Sequence, residues 1–148
     1  MWFSRKRGDA SSPENTGAIT TKRRGDAAED AALTHLQGQG LALVQRNFKT
    51  PARGGGEVDL IMRAADGTLV FVEVRQRSGG SRGGAGDSIT RVKQRRIILA
   101  ARHFLLQAGS EPPCRFDVVL IDSPSLPGAG PGTRHIEWHR AAFDATET

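Results

Sequence analysis

Gly56-Glu57-Val58-Asp59-Leu60-Ile61-Met62-Arg63 and, after five residues, Leu69-Val70-Phe71-Val72-Glu73-Val74-Arg75 are the two runs whose reading decides the fold. Both are dominated by aliphatic and β-branched residues, and Ala64-Ala65-Asp66-Gly67-Thr68 between them holds the Asp-Gly of a hairpin loop. Side chains alternate along a strand, so Glu57, Asp59 and Ile61 share one face and Val58, Leu60 and Met62 the other. On the second strand Leu69, Phe71, Glu73 and Arg75 share a face, with Val70, Val72 and Val74 opposite. A loop of Ala64–Thr68 pairs Arg63 with Leu69 and sets Asp59 opposite Glu73. This register superposes the apolar sides of the two strands, whereas a slip of one residue sets Asp59 against a valine and turns charge into the core.

Carboxylates facing each other across strands repel, so something must offset them. A divalent cation is one answer: it takes converging oxygen ligands together with water and a phosphate oxygen. Such an ion can activate water and stabilise the charge that builds on a scissile phosphate. Arg75, on the same face, then stands where it can meet that phosphate. The other answer is an ion-pair network at a solvated sheet end, with Glu57, Asp59 and Glu73 paired to Arg53, Arg63 and Arg75. Spacing alone leaves both readings open.

The charge distribution favours the first. The chain has 148 residues and a formal charge of +5. Residues 25–74, which hold the carboxylate hairpin, are net −3, and residues 75–102 are net +7. A basic block beside an acidic one suits an anionic partner held next to a carboxylate site. The length fits one domain, and a single Cys114 excludes an internal disulfide and suits a reducing cytosol. No apolar run approaches the ~18–20 residues of a membrane span. Met1-Trp2-Phe3 runs straight into Arg5-Lys6-Arg7, so no ordinary secretory signal is expected. The location expected is the cytoplasm.

Outward from the hairpin, residues 1–20 read as a disordered leader and 21–148 as a single domain. A helix is expected from Thr21 to Gln37, on the stripe Ala27, Ala28, Ala31, Ala32 and Leu36, ended by Gly38 and Gly40. Leu41–Phe48 reads as a strand. Gly54-Gly55-Gly56 reads as a flexible turn, or as backbone amides open to a phosphate. Residues 78–86 are irregular. Asp87 or Ser88 would cap a helix running to about Gln107, with Ile89, Val92, Ile97, Ala100, Phe104 and Leu105 toward one face. Phe116–Ile121 is an apolar strand, 123–133 a Pro/Gly loop, His135–Trp138 a short last strand, and Ala141–Phe143 a terminal turn. The order predicts an α/β fold on a mixed central sheet flanked by helices.

These motifs resemble the bacterial YraN-type family of predicted nucleases, akin to Holliday-junction resolvases of the PD-(D/E)XK restriction-endonuclease-like superfamily. The resemblance runs from about residue 22 to 143. It rests on Gly25-Asp26-Ala27-Ala28-Glu29, Asn47-Phe48, the two runs quoted above, Lys93, Arg115-Phe116-Asp117-Val118-Val119 and Ala142-Phe143 taken in order. It implies an α-β-β-β-α-β core and an Mg²⁺- or Mn²⁺-dependent endonuclease. Asp59 and Glu73 would ligate the metal, the Val74 carbonyl would complete the site, and Glu29 would add a further carboxylate. Position 75 is Lys in the fullest motif and Arg here. Arg stays protonated, so Arg75 can position water or stabilise charge but cannot act as a base; Lys93 is the alternative cation.

The function expected is hydrolysis of DNA phosphodiester bonds, branched or flapped DNA included, with DNA favoured over RNA. The alternative is a nucleic-acid-binding module that has lost turnover. Arg77, Arg82, Arg91, Arg95, Arg96 and Arg102 would grip the backbone. A homodimer is the analogy that resolvase-like relatives offer. The four histidines show no zinc spacing with Cys114, and His135 and His139 read as exposed or capping residues. Cys114 reads as a small buried or edge thiol, and Asp117 and Asp122 as strand-end polar residues. Sparse aromatics, with no Tyr, speak against a stacking platform for bases.

Overall fold

In the computed structural model residues 21–51, 53–77, 89–122 and 135–145 are described. The leader 1–20, the Gly-rich stretch with Arg82, the expected caps Asp87 and Ser88, and the loop 123–133 lie outside them. The elements are α1 (Thr21–Gly38), β1 (Ala42–Lys49), β2 (Glu57–Arg63), β3 (Leu69–Arg77), α2 (Arg91–Ala108), β4 (Cys114–Asp122) and β5 (Ile136–Phe143). This is the expected α-β-β-β-α-β core with β5 added at an edge. The strands lie in the order β1-β2-β3-β4-β5. Neighbours are antiparallel except β3 and β4, whose parallel pairing needs α2 as its crossover.

The hairpin register is the expected one: Arg63 pairs with Leu69, Met62 with Val70, Ile61 with Phe71 and Leu60 with Val72. Gly67 makes the loop possible with φ +94°, a conformation that costs glycine nothing. Both faces of the sheet are covered, which is why β2, β3 and β4 read as nearly continuous apolar runs. On one face Leu60, Met62, Val70 and Val72 pack with Ala28, Ala32 and Leu36 of α1. On the other Ile61, Leu69 and Phe71 pack with Ile97, Ile98, Ala100 and Ala101 of α2. Glu73 continues the α2-side alternation by one step beyond Phe71, but β2 departs from the expected alternation: Val58 packs with the α2-side cluster and not with Leu60 and Met62, so the strand turns between Val58 and Leu60, at Asp59.

Several expectations are corrected. The cap of α2 is Thr90, whose hydroxyl accepts from the Lys93 amide at 3.1 Å, so the helix begins at Arg91. Val92 is exposed and does not share the core face. Residues 141–143 are not a terminal turn; they extend β5 along β4. Asp117 is not a strand-end group but sits in mid-strand, 1% exposed.

Gly56 is no flexible turn either: it is buried where the loop after β1 meets α2. A Cβ there would collide with the Arg96 carbonyl and the Ala100 amide, which are helix backbone and cannot swing aside. The loop is tied by Gly56 N–H to Thr50 Oγ1 at 2.8 Å and by Arg96 Nε to the Gly55 carbonyl at 3.3 Å. Gly56→Ala is therefore expected to push α2 off the sheet and cost about 1–3 kcal/mol, the usual size of an overpacking defect. Urea denaturation checks this; an unchanged midpoint would mean that the close approach is not required.

Candidate active site

Where the β2–β3 ladder reaches Leu60 and Val72, the chain places Asp59 and Glu73 side by side. Asp59 Oδ2 accepts the Val74 N–H at 2.8 Å, so the first residue past Glu73 fixes the aspartate. A side-chain hydrogen bond also links Asp59 and Glu73; it raises Glu73 and lowers Asp59, so it favours the proton on Glu73. Glu73 is only 6% exposed, and its Oε1 has no hydrogen-bond partner. Burial first, and then the charge of Asp59, push the Glu73 carboxyl up to about 8. Burial raises Asp59 as well, against the Val74 amide, which lowers it. Two carboxyls that resist ionising together, one with an orphaned oxygen, are the signature of a site short of positive charge.

The cation that α2 supplies is Lys93. Its Nζ lies 3.2 Å from Glu57 Oε2 and 3.5 Å from Glu73 Oε2. It is set there by the Thr90 cap, which starts the helix three residues earlier. Glu57 in turn meets Arg96 Nη2 at 3.4 Å, and these cations bring its carboxyl below the usual range despite burial. The carboxylates keep Lys93 more firmly protonated than an exposed lysine, also against burial. As it stands, then, Lys93 is a positive charge over the carboxylate pair and not a base.

The other expected site residues fall into place around this centre. Arg75 follows Glu73 by two on β3, half-buried, opposite Leu120 of β4. Glu29 is on α1, its Oε1 3.5 Å from Arg46 Nη2, and Asn47 hydrogen-bonds its carboxylate. Its link to Asp59 is electrostatic: after burial, the Asp59 charge is the largest influence raising it. Among the described residues no group of three or more His, Cys, Asp or Glu side chains gathers as a ready metal cluster. Asn47, whose side chain bonds Glu29, adopts φ +51°, a left-handed conformation that asparagine enters more readily than most non-glycine residues.

Arg77 is engaged in the fold. Its guanidinium bonds Asp122 Oδ1 at 2.8 Å and Glu137 Oε2 at 3.0 Å, and its side chain is 10% exposed. On α2, Lys93 and Arg96 lie on one flank, and Arg91, Arg95 and Arg102 on the other, by the 3.6-residue period. His135 and His139 are exposed and stand 3.3 and 3.2 Å from the two oxygens of Glu137. Cys114 is exposed at the start of β4.

Sequence reasoning missed Glu57 as the partner that holds Lys93. The alternation that joined Asp59 and Glu57 on one face held that signal; what was not visible was which helix turn would cover them. It also missed Asp117, whose carboxylate receives Arg115 Nε at 3.0 Å, Trp138 Nε1 at 2.9 Å and the Ala141 amide at 2.9 Å.

A family model described as "Uncharacterised protein family UPF0102" matches residues 28–121. A UPF0102 protein of Polaromonas naphthalenivorans is 56% identical over 99% of this chain and 100% of its own length. One from Albidiferax ferrireducens is 58% identical over 85% of this chain and 91% of the relative. One from Acidovorax sp. is 53% identical over 98% and 99%. No described helix is long and apolar enough to cross a membrane.

Proposed function

The chain belongs to the UPF0102 family, and we propose that it is a divalent-metal-dependent nuclease acting on DNA, branched or flapped DNA included. The observation that carries this reading is the buried Asp59–Glu73 pair with an orphaned oxygen and a lysine poised above it. Hard oxygen donors of this kind suit Mg²⁺ or Mn²⁺. Asp59 and Glu73 would hold the ion, with the Val74 carbonyl as a further oxygen and Glu29 as an outlying carboxylate. When bound, the ion would activate water and offset charge on the scissile phosphate.

The residues of the chain supply the rest. The Val74 N–H fixes the orientation of Asp59 before any ligand arrives. Lys93, held by Glu57, offers a fixed positive charge to a phosphate oxygen, and preorganised charge of this kind stabilises a transition state. Arg75 supports the phosphate as a permanent cation. Arg96 steadies Glu57, and Arg91, Arg95 and Arg102 extend positive charge along α2 for the nucleic-acid backbone.

A second reading, a binding module without turnover, has an observation of its own: Lys93 already sits on Glu73, where it partly replaces a metal's charge. One assay separates the two. Labelled linear and branched DNA is incubated with the protein in Mn²⁺ and in excess chelator. The nuclease reading expects cleavage in Mn²⁺ that chelator abolishes. Salt-sensitive binding with no cleavage selects the binding module, and neither binding nor cleavage at low salt sinks both.

A further inference from the structure

A cavity of about 400 Å³ lies between the C-terminal half of α2 and strands β4 and β5, away from the carboxylate pair. Its lining is mostly apolar: Ile98, Ala101 and Leu105 from the helix, Phe116 and Phe143 from the strands. The two phenylalanines stack with ring centroids 5.0 Å apart and planes 16° apart. The charged part of the lining is Arg102, Arg115 and Asp144, two cations to one carboxylate, and Arg115 is tied to Asp117. The size is that of a small-molecule pocket, roughly 300–1,000 Å³, and so is the pattern of apolar walls with few polar groups.

We propose that this cavity takes an unpaired nucleobase of the bound nucleic acid, stacked against the phenylalanines, with a neighbouring phosphate at Arg102. Charge complementarity selects this occupant. Arg91, Arg95 and Arg102 form one flank of α2, a positive row that leads to the cavity, and α2 contains no acidic residue. From Lys93 to Arg102 the helix rises roughly 13 Å, which a strand at about 3.4 Å per nucleotide crosses in about four nucleotides. The inference rests on the nucleic-acid reading above and sharpens it: the substrate has an unpaired base near the bond that is cut.

Cys114, the sole cysteine of the chain, also lines the cavity and reports on it. The test measures the rate at which a maleimide labels Cys114 in the full-length protein, in chelator and at low salt. It is run alone, with a single-stranded oligonucleotide, and with an abasic phosphodiester of the same length. Salt-dependent binding of both is followed separately by anisotropy. With the base-bearing strand at about ten times its Kd or more, labelling is expected to slow at least about tenfold by mass action, and the abasic strand at equal occupancy is not expected to slow it. Ala145→Phe, which adds bulk at a residue lining the cavity, is expected to abolish protection while leaving salt-dependent binding in place. If both strands bind and protect equally, or bind and protect not at all, the base pocket is wrong and the nucleic-acid reading survives. If neither strand binds, both fall.

Discussion

Asp59→Ala is expected to reduce Mn²⁺-dependent cleavage by about a thousandfold or more, on the scale of losing a principal transition-state interaction, while leaving the protein as stable as before. This split marks a functional residue. A purely structural aspartate, bonded to a backbone amide and largely buried, would weaken the fold when removed. Here the lost amide bond is offset, because Asp59 and Glu73 compete for one proton in a site that disfavours charge.

The pH dependence of stability shows the same strain. The Glu73 carboxyl is raised from 4.5 to about 8, so the folded state holds a proton that the unfolded chain releases. A raised pKa contributes stability that is complete below pH 4.5 and is lost as pH rises through about 8. Glu73→Gln is therefore expected to flatten this loss and to be more stable than wild type at pH 9 in chelator. Urea titrations at pH 5 and pH 9 measure it. A wild type that is equally stable at both pH values, or a Gln variant that is less stable at pH 9, would count against the buried charge pair.

The second large effect lies away from the site. Asp117→Ala is expected to destabilise the fold by about 3–5 kcal/mol, the cost of breaking a buried charged pair. Between Phe116↔Phe143 and Val118↔His139 the β4–β5 register shifts, and Ala141 in this bulge takes φ +50°. Asp117 replaces the lost ladder partner: it accepts the Ala141 amide, the Trp138 indole and the Arg115 guanidinium together. Alanine would leave these donors without their acceptor in a region already bent. Asp117→Asn keeps the shape and an acceptor oxygen, so its cost should be smaller, about 1–3 kcal/mol. Denaturant midpoints decide, and a loss below about 1 kcal/mol for the alanine variant would mean that the bulge does not depend on this carboxylate.

The hairpin was legible in the sequence because a period of two combined with one charged pair leaves a single register that keeps charge out of the core. The element order followed from the same periodicities. Three features were not legible, each for a physical reason. Asp117 looks like any polar residue near a strand end until the bulge that orphans the Ala141 amide is known. Gly54-Gly55-Gly56 reads as flexibility, because the approach of α2 to Gly56 is a tertiary fact. Lys93 was visible as a candidate cation, but its hold by Glu57 depends on where the helix starts, and Thr90, not the residues before it, sets that start. Within the site, the convergence of Asp59 and Glu73 was readable, whereas the pairing of Glu29 with Arg46 is a tertiary contact between α1 and β1.

The central claim is that Asp59 and Glu73 form a cation site and not merely a strained pair. Isothermal calorimetry with Mn²⁺ tests it directly, on wild type and Asp59→Ala at pH 8 in the absence of nucleic acid. Saturable binding to wild type is expected, accompanied by proton release as Glu73 gives up its proton, and no binding to the variant. Equal heats from the two proteins, or none from wild type, would contradict it.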